Sequence, residues 1–296
     1  MTEPIRYIDR TRAYYQALGY GKPYEWAGFD HAPFTPAPDL RRARVAVVTT
    51  AAPYVPGAGD QGPGAAYNGK AKFFKVYAAP SDPVPQLGIS HVAIDRDHST
   101  AEDIGSYLPL AALARAEQAG RIAQAAPLVF GLPTNRSQRQ TIDVDCPDLV
   151  NRLRGAGVDA AIFVPNCPVC HQSCALAARA VEAAGVPTVV MGCALDIVER
   201  VGVPRFLFSD FPLGNAAGIP NDIASQDQTL AMALDLLETA QAPRTTHHSP
   251  LVWPGPVDWR DDYSNPAKLS AEEIAKRRAE FDRVKAAGQA LKTETL

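Results

Sequence analysis

The sequence predicts an α/β fold, with a parallel sheet covered by helices on both faces, Rossmann-like, in one body or two lobes. Three observations carry this. From Gly105 onward, apolar runs of strand length alternate with longer runs of helical periodicity. Runs such as Ala160-Ala161-Ile162-Phe163-Val164 are apolar on both faces, a pattern that a sheet sandwiched between helices can bury. Cysteines follow that strand where a helix begins, on the edge where such folds bind ligands.

The elements follow in order. Residues 1–42, rich in Tyr, Pro and Gly, form an irregular arm with one short helix expected over Thr11–Leu18. Arg44–Thr50 is the first buried strand. Ala52–Gly88 reads as a long loop, of the kind that is functional or mobile in compact domains. Helices are expected over Tyr107–Ala119, Asp148–Leu153, Pro168–Ala184, Thr229–Ala240 and Ala271–Ala287, several stopped by a following glycine. Strands are expected over Leu128–Leu132, Ala160–Val164, Pro187–Met191 and Phe206–Phe208. The chain thus divides into the arm, an α/β catalytic domain at 43–245, and a C-terminal extension at 246–296. The charged helix of that extension reads as a solvated amphipathic tail or an oligomer contact.

The composition narrows the classes. The chain has 296 residues, 46% of them hydrophobic, enough for a sizeable core. A net charge of -3 gives no electrostatic reason to expect nucleic acid or an anionic membrane as partner. No apolar run approaches the roughly 20 residues that span a bilayer. The start lacks the basic end and apolar stretch of a signal peptide, so a cytoplasmic location is expected. The five cysteines are odd in number, with three inside 167–174. In a reducing compartment such clustering indicates thiol chemistry or a metal rather than a disulfide scaffold.

The run Asn166-Cys167-Pro168-Val169-Cys170-His171 carries the chemistry. Pro168 suits the first helical turn, where its missing N–H has no partner to lose. Cys167 then falls at the N-cap, facing unsatisfied N–H groups and the positive end of the helix dipole, which favour a thiolate. Cys170 lies one turn on, within reach of a disulfide, as a resolving thiol. His171 is expected to add positive charge or donate a proton. Two other readings stand beside this one: a metal site using Cys167, Cys170, His171 and Cys174, and a packing role for small buried sulfurs. Cys146 and Cys193 read as core or supporting residues, with Cys193 on the same edge.

Three neighbouring pieces carry a family resemblance: Gly157–Val164, the Cys-x-x-Cys, and Ala180–Pro187. Asp97–Asp103, Leu108-Pro109-Leu110 and Phe211–Asn215 add to it. Between residues 43 and 240 the chain resembles the glycine/betaine/sarcosine/D-proline reductase selenoprotein B proteins. Members carry selenocysteine-x-x-cysteine at this junction, so Cys167 matches the selenocysteine and Cys170 the cysteine. The resemblance implies reductive cleavage of a small amino acid or amine, re-reduction by a dithiol, and a partner chain bearing a pyruvoyl group. The departure is chemical: Cys167 offers sulfur, a weaker nucleophile and poorer leaving group than selenium. Specificity for D-proline or glycine is not carried over.

Other candidates come from position. Asp97 and His98 are expected as a general acid or base near the thiols, against the alternative of a polar loop; His91 reads as structural. Thr49, Thr50 and Asn166 are expected to bind substrate at the sheet edge. Gly214 and Asn215 either cradle a carboxylate through their backbone or form a simple turn. Gly57–Gly64 lacks the Lys-Ser/Thr of a phosphate loop, which argues against nucleotide binding. His247 and His248 read as surface residues. The leading expectation is a thiol-dependent reductase acting on a small nitrogen-containing substrate, with no resident metal and no cofactor beyond a dithiol, together with a partner subunit or a homo-oligomer. The alternatives are a non-redox cysteine nucleophile (a desulfurase, a hydrolytic enzyme or a two-thiol racemase) and a metal- or partner-binding subunit.

Overall fold

The computed structural model describes residues 3–53, 73–89, 93–95, 97–99, 101–256 and 258–295. Gly57–Gly64 and His91, discussed above, lie outside the described residues. The strands are β1 (Arg44–Thr49), β2 (Ala52–Pro53), β3 (Tyr77–Pro80), β4 (Leu87–Gly88), β5 (Gln124–Ala125), β6 (Leu128–Gly131), β7 (Ala160–Val164), β8 (Thr188–Gly192), β9 (Arg205–Phe208) and β10 (Thr245–His248). The helices are α1 (Tyr7–Ala17), α2 (Leu110–Gln118), α3 (Gln138–Gln140), α4 (Cys146–Gly155), α5 (Pro168–Ala183), α6 (Leu195–Val201), α7 (Ile223–Thr239), α8 (Trp259–Asp262) and α9 (Ala271–Thr295). A π-helical turn, Thr141–Asp145, links α3 to α4.

An eight-stranded sheet runs β10-β9-β8-β7-β1-β6-β3, with β5 also beside β1. All its pairings are parallel except that of the edge strand β3 with β6. Proline at 127 separates β5 from β6, so the two are halves of one interrupted strand along β1. The long parallel strands follow the doubly wound order 2-1-3-4-5, with β10 extending it, rather than the 3-2-1-4-5-6 order of the dinucleotide folds. The order in which strands are added reverses between β1 and β7, so the switch point lies between Thr49 and Val164, which pair at the strand ends.

Alternation along each strand feeds two layers. Val45, Val47, Ile162, Val189 and Leu207 join a core with α2 and α7 residues such as Leu113 and Leu234. Ala46, Val48, Phe163, Val190 and Phe206 join a core with α4 and α5 residues such as Leu149 and Val181. Both faces are therefore covered, and the expected elements appear with boundaries shifted by a few residues. The exceptions were hard to read: α6 is seven residues long, β10 is the polar run Thr-Thr-His-His, with His247 and His248 exposed at the sheet edge, and the segment expected as a long loop over Ala52–Gly88 contributes the edge strand β3 and the short β2–β4 pair.

The arm is sewn to the sheet by a buried ion pair. Arg205 Nη1 lies 2.9 Å from Glu182 Oε1, with both side chains fully buried. The Glu182 carboxylate also accepts from the backbone N–H groups of Thr35 (2.7 Å) and Thr188 (2.6 Å), while Arg205 Nη2 donates to the Thr35 carbonyl. Arg205 stacks on Phe34 at 4.4 Å. Arm, α5, β8 and β9 thus share one polar knot at the edge opposite the strand C-termini. Removing one partner strands a buried charge, so Arg205→Met should destabilise the protein by about 3–5 kcal/mol in urea unfolding. Adding Glu182→Gln should recover much of that loss, and the double variant serves as the check.

Candidate active site

The site is built from strand ends. Val164 ends β7, and Cys167 is the N-cap of α5, with Pro168 as its first residue. Cys167 Sγ accepts a hydrogen bond from the Cys170 N–H at 3.2 Å. A disulfide joins Cys167 to Cys170, their Cα atoms 4.9 Å apart. The two sulfurs are not equivalent. Cys167 is 4% exposed and lines a cavity of about 1110 Å³, whereas Cys170 is fully buried behind it. Thr134, on the loop after β6, donates to Cys170 Sγ at 3.4 Å.

His171 has a different role from the one expected. It is fully buried; its Nδ1 donates to the Cys167 carbonyl at 2.7 Å, and its Nε2 accepts the Cys193 N–H at 2.9 Å. Both ring nitrogens are therefore engaged, which sets the tautomer, and burial lowers the pKa to about 4. The ring is a neutral strut between the ends of β7 and β8 rather than a source of positive charge or protons. Gly192 makes room for it: a Cβ there would meet the ring at 2.8 Å.

The substrate-binding residues expected at the edge serve the backbone instead. Thr49 Oγ1 accepts from the Ala51 N–H at 3.0 Å, and Thr50 Oγ1 from the Asn166 N–H at 3.1 Å. Asn215 Nδ2 donates to the Pro212 carbonyl, and its Oδ1 accepts from Ser99. At the turn of Gly214, the Asn215 and Phe211 backbones hydrogen-bond to the Cys193 thiol, whose pKa burial still pushes up to about 12. Among the described residues, Thr49, Thr50, Asn166, Gly214 and Asn215 do not line the cavity. The Asn166 side-chain amide is buried without a hydrogen-bond partner.

Asp97 does reach the cavity wall with Cys167, and so does Asp95. His98 stands behind them, with Nδ1 3.0 Å from Asp95 Oδ1 and Nε2 3.5 Å from Asp262. Burial raises the Asp95 pKa against the lowering effect of His98. Among the described residues no group of three or more His, Cys, Asp or Glu side chains is placed to share a metal. The cluster expected for one is dispersed, since Cys174 packs in the α4–α5 core and His171 is used by the backbone.

The two chain ends complete the cavity. Tyr15 and Tyr20 of the arm pack edge-on against Phe281 of α9, with centroids 5.5 and 5.1 Å apart. Tyr20 Oη donates to Asp282, and Arg278 to the Leu18 carbonyl. The charged helix, expected as a solvated tail or an oligomer contact, thus lines the cavity with one side while most of its described residues stay exposed. Sequence reasoning also missed Thr134, although its place after a strand end marks it for the edge.

Fold and site define a doubly wound α/β protein with a cysteine pair at the switch point, opening into a deep cavity. The chain is similar to D-proline reductase subunit gamma of Acetoanaerobium sticklandii, 26% identical over 207 residues, or 65% of this chain and 80% of that protein. It is a distant relative of that reductase subunit. No family model and no solved structure matches the chain. Among the described residues no helix is long and apolar enough to cross a membrane.

Two outcomes follow from the geometry. After reduction, alkylation at neutral pH should label Cys167 first, because burial raises the pKa of Cys146, Cys174 and Cys193; mass spectrometry of the labelled peptides checks this. The second concerns His171, which refuses a proton in the folded state down to about pH 4, whereas the unfolded chain takes one near 6.5. Stability should therefore fall by about 3 kcal/mol as pH drops across that window. Urea midpoints for His171→Gln should lose less over the same range.

Proposed function

We propose that this protein is a thiol-dependent reductase acting on a small, amino acid-like, nitrogen-containing substrate, with Cys167 as nucleophile and Cys170 as resolving thiol. The carrying observation is the Cys167–Cys170 pair at the start of α5, with only Cys167 open to the cavity. The distant relationship to a D-proline reductase subunit supports the reductive reading, as does the Cys-x-x-Cys placed where the selenoprotein B reductases carry selenocysteine-x-x-cysteine. That relative is named as a subunit, and a partner subunit belongs to this proposal.

The steps balance as follows. The Cys167 thiolate attacks carbon; a C–S bond forms, C–N breaks, and the nitrogen leaves with a proton. The Cys170 thiolate then attacks the Cys167 sulfur, forming the disulfide and breaking C–S, and the released carbon takes a proton. Two thiols are oxidised and the substrate gains two electrons and two protons; an external dithiol resets the pair. The N-cap N–H groups and the helix dipole offset part of the handicap of sulfur relative to selenium by favouring the thiolate. Asp95, in the cavity wall with its pKa raised by burial, is the proton donor in this scheme.

With D- and L-proline, glycine, sarcosine and betaine as trial substrates and dithiothreitol as reductant, Cys167→Ser should lose about 10³-fold or more of the turnover. Cys170→Ser should stop after one event, with an adduct on Cys167 visible by mass. Sustained turnover without any reductant would overturn the reductase reading.

A further inference from the structure

We propose that Arg136 is the carboxylate-binding residue of the cavity, holding a small carboxylated substrate against Cys167; this rests on the reading of Cys167 as a nucleophile. Arg136 follows Thr134, which touches Cys170, on the loop after β6, and it lines the same cavity as Cys167. Its backbone is left-handed, with φ at 56°, a conformation that is unfavourable for a non-glycine residue. The neighbours hold it there. Asn135 donates to Asp145 at 3.0 Å, Ser137 Oγ caps α3, and Gln138 donates to the Glu25 carbonyl at 2.7 Å.

The guanidinium is aimed by aromatic contacts rather than by an acid. It lies 5.1 Å from the Phe281 ring centroid and 5.7 Å from that of Tyr15, and Nη2 donates to Tyr15 Oη at 2.9 Å. No carboxylate forms an ion pair with it among the described residues. Three of the acids that share the cavity are engaged elsewhere: Glu25 with Lys22, Asp95 with His98, Glu273 with the start of its own helix. An arginine packed beside a pair of rings keeps its charge, and its planar fork of N–H donors matches a carboxylate in two bonds. The neighbouring Tyr15 and Phe281 rings reduce its hydration and strengthen such a contact.

The test needs no turnover. Iodoacetate and iodoacetamide both alkylate a thiolate with loss of iodide, and they differ in a carboxylate against a neutral amide. With reduced protein, the rate ratio of iodoacetate to iodoacetamide at Cys167 should fall about ten-fold in Arg136→Gln, the size of one charge-assisted hydrogen bond. The iodoacetamide rate itself should stay within two-fold, which also reports that the site is intact. Arg136→Lys should recover only part of the ratio, since it restores the charge without the fork. Lys276→Gln, another cavity cation, should leave the ratio unchanged. An unchanged ratio in Arg136→Gln overturns the proposal, and so does an equal fall in Lys276→Gln, which would mark a diffuse field. Slow labelling of Cys167 by both reagents would instead count against the nucleophile reading beneath it.

Discussion

Helix α5 is fixed at both ends by polar contacts made in the dry interior, and the site takes its position from that helix. At its C-terminal end, Glu182 gathers Arg205, Thr188 and the arm at Thr35 into one buried knot. At its N-terminal end, His171 ties the Cys167 carbonyl to the Cys193 N–H across two neighbouring strands. Charges and ring nitrogens this deep are tolerated when paired and hydrogen-bonded, as the Glu182 carboxylate, the Arg205 Nη groups and both His171 nitrogens are. Each contact therefore demands the others, and the helix has little freedom to slide or tilt against the sheet.

That rigidity gives the two cysteines unequal roles. Both lie in the first turn of one helix and in one disulfide, so their difference is positional. Cys167, at the cap, faces the cavity; Cys170, one turn on, is sealed behind it under the Thr134 hydroxyl. An external molecule meets the first sulfur and not the second, which is the asymmetry that an attacking and a resolving thiol require. Gly192 and the strut of His171 hold the strand ends that frame this arrangement.

The cavity itself belongs to neither the sheet nor its helices alone. The aromatic arm and α9 meet through Tyr15, Tyr20 and Phe281 and place a wall opposite the strand ends. The same rings flank Arg136. Residues from both ends of the chain, far apart in sequence, thus shape the space that Cys167 opens into.

The sequence by itself determined the α/β class, most of the elements, the place of the cysteine pair at a strand-to-helix junction and the N-cap position of Cys167. These are local properties: periodicity reports which faces are buried, and Pro168 after Cys167 reports a helix start. Short or polar elements such as α6 and β10 escaped because their segments carry too little periodicity to read. Only the tertiary structure decided what each edge residue does. Thr49, Thr50 and Asn215 stand at the sheet edge as expected, yet their side chains are taken up by hydrogen bonds within the surrounding loops. His171, which in sequence looks like a charge beside the thiols, is buried and neutral. Arg136, Thr134 and the wall formed by α9 became visible only when distant segments met, because hydrogen-bond partners and solvent exposure depend on what packs against a residue rather than on what precedes it.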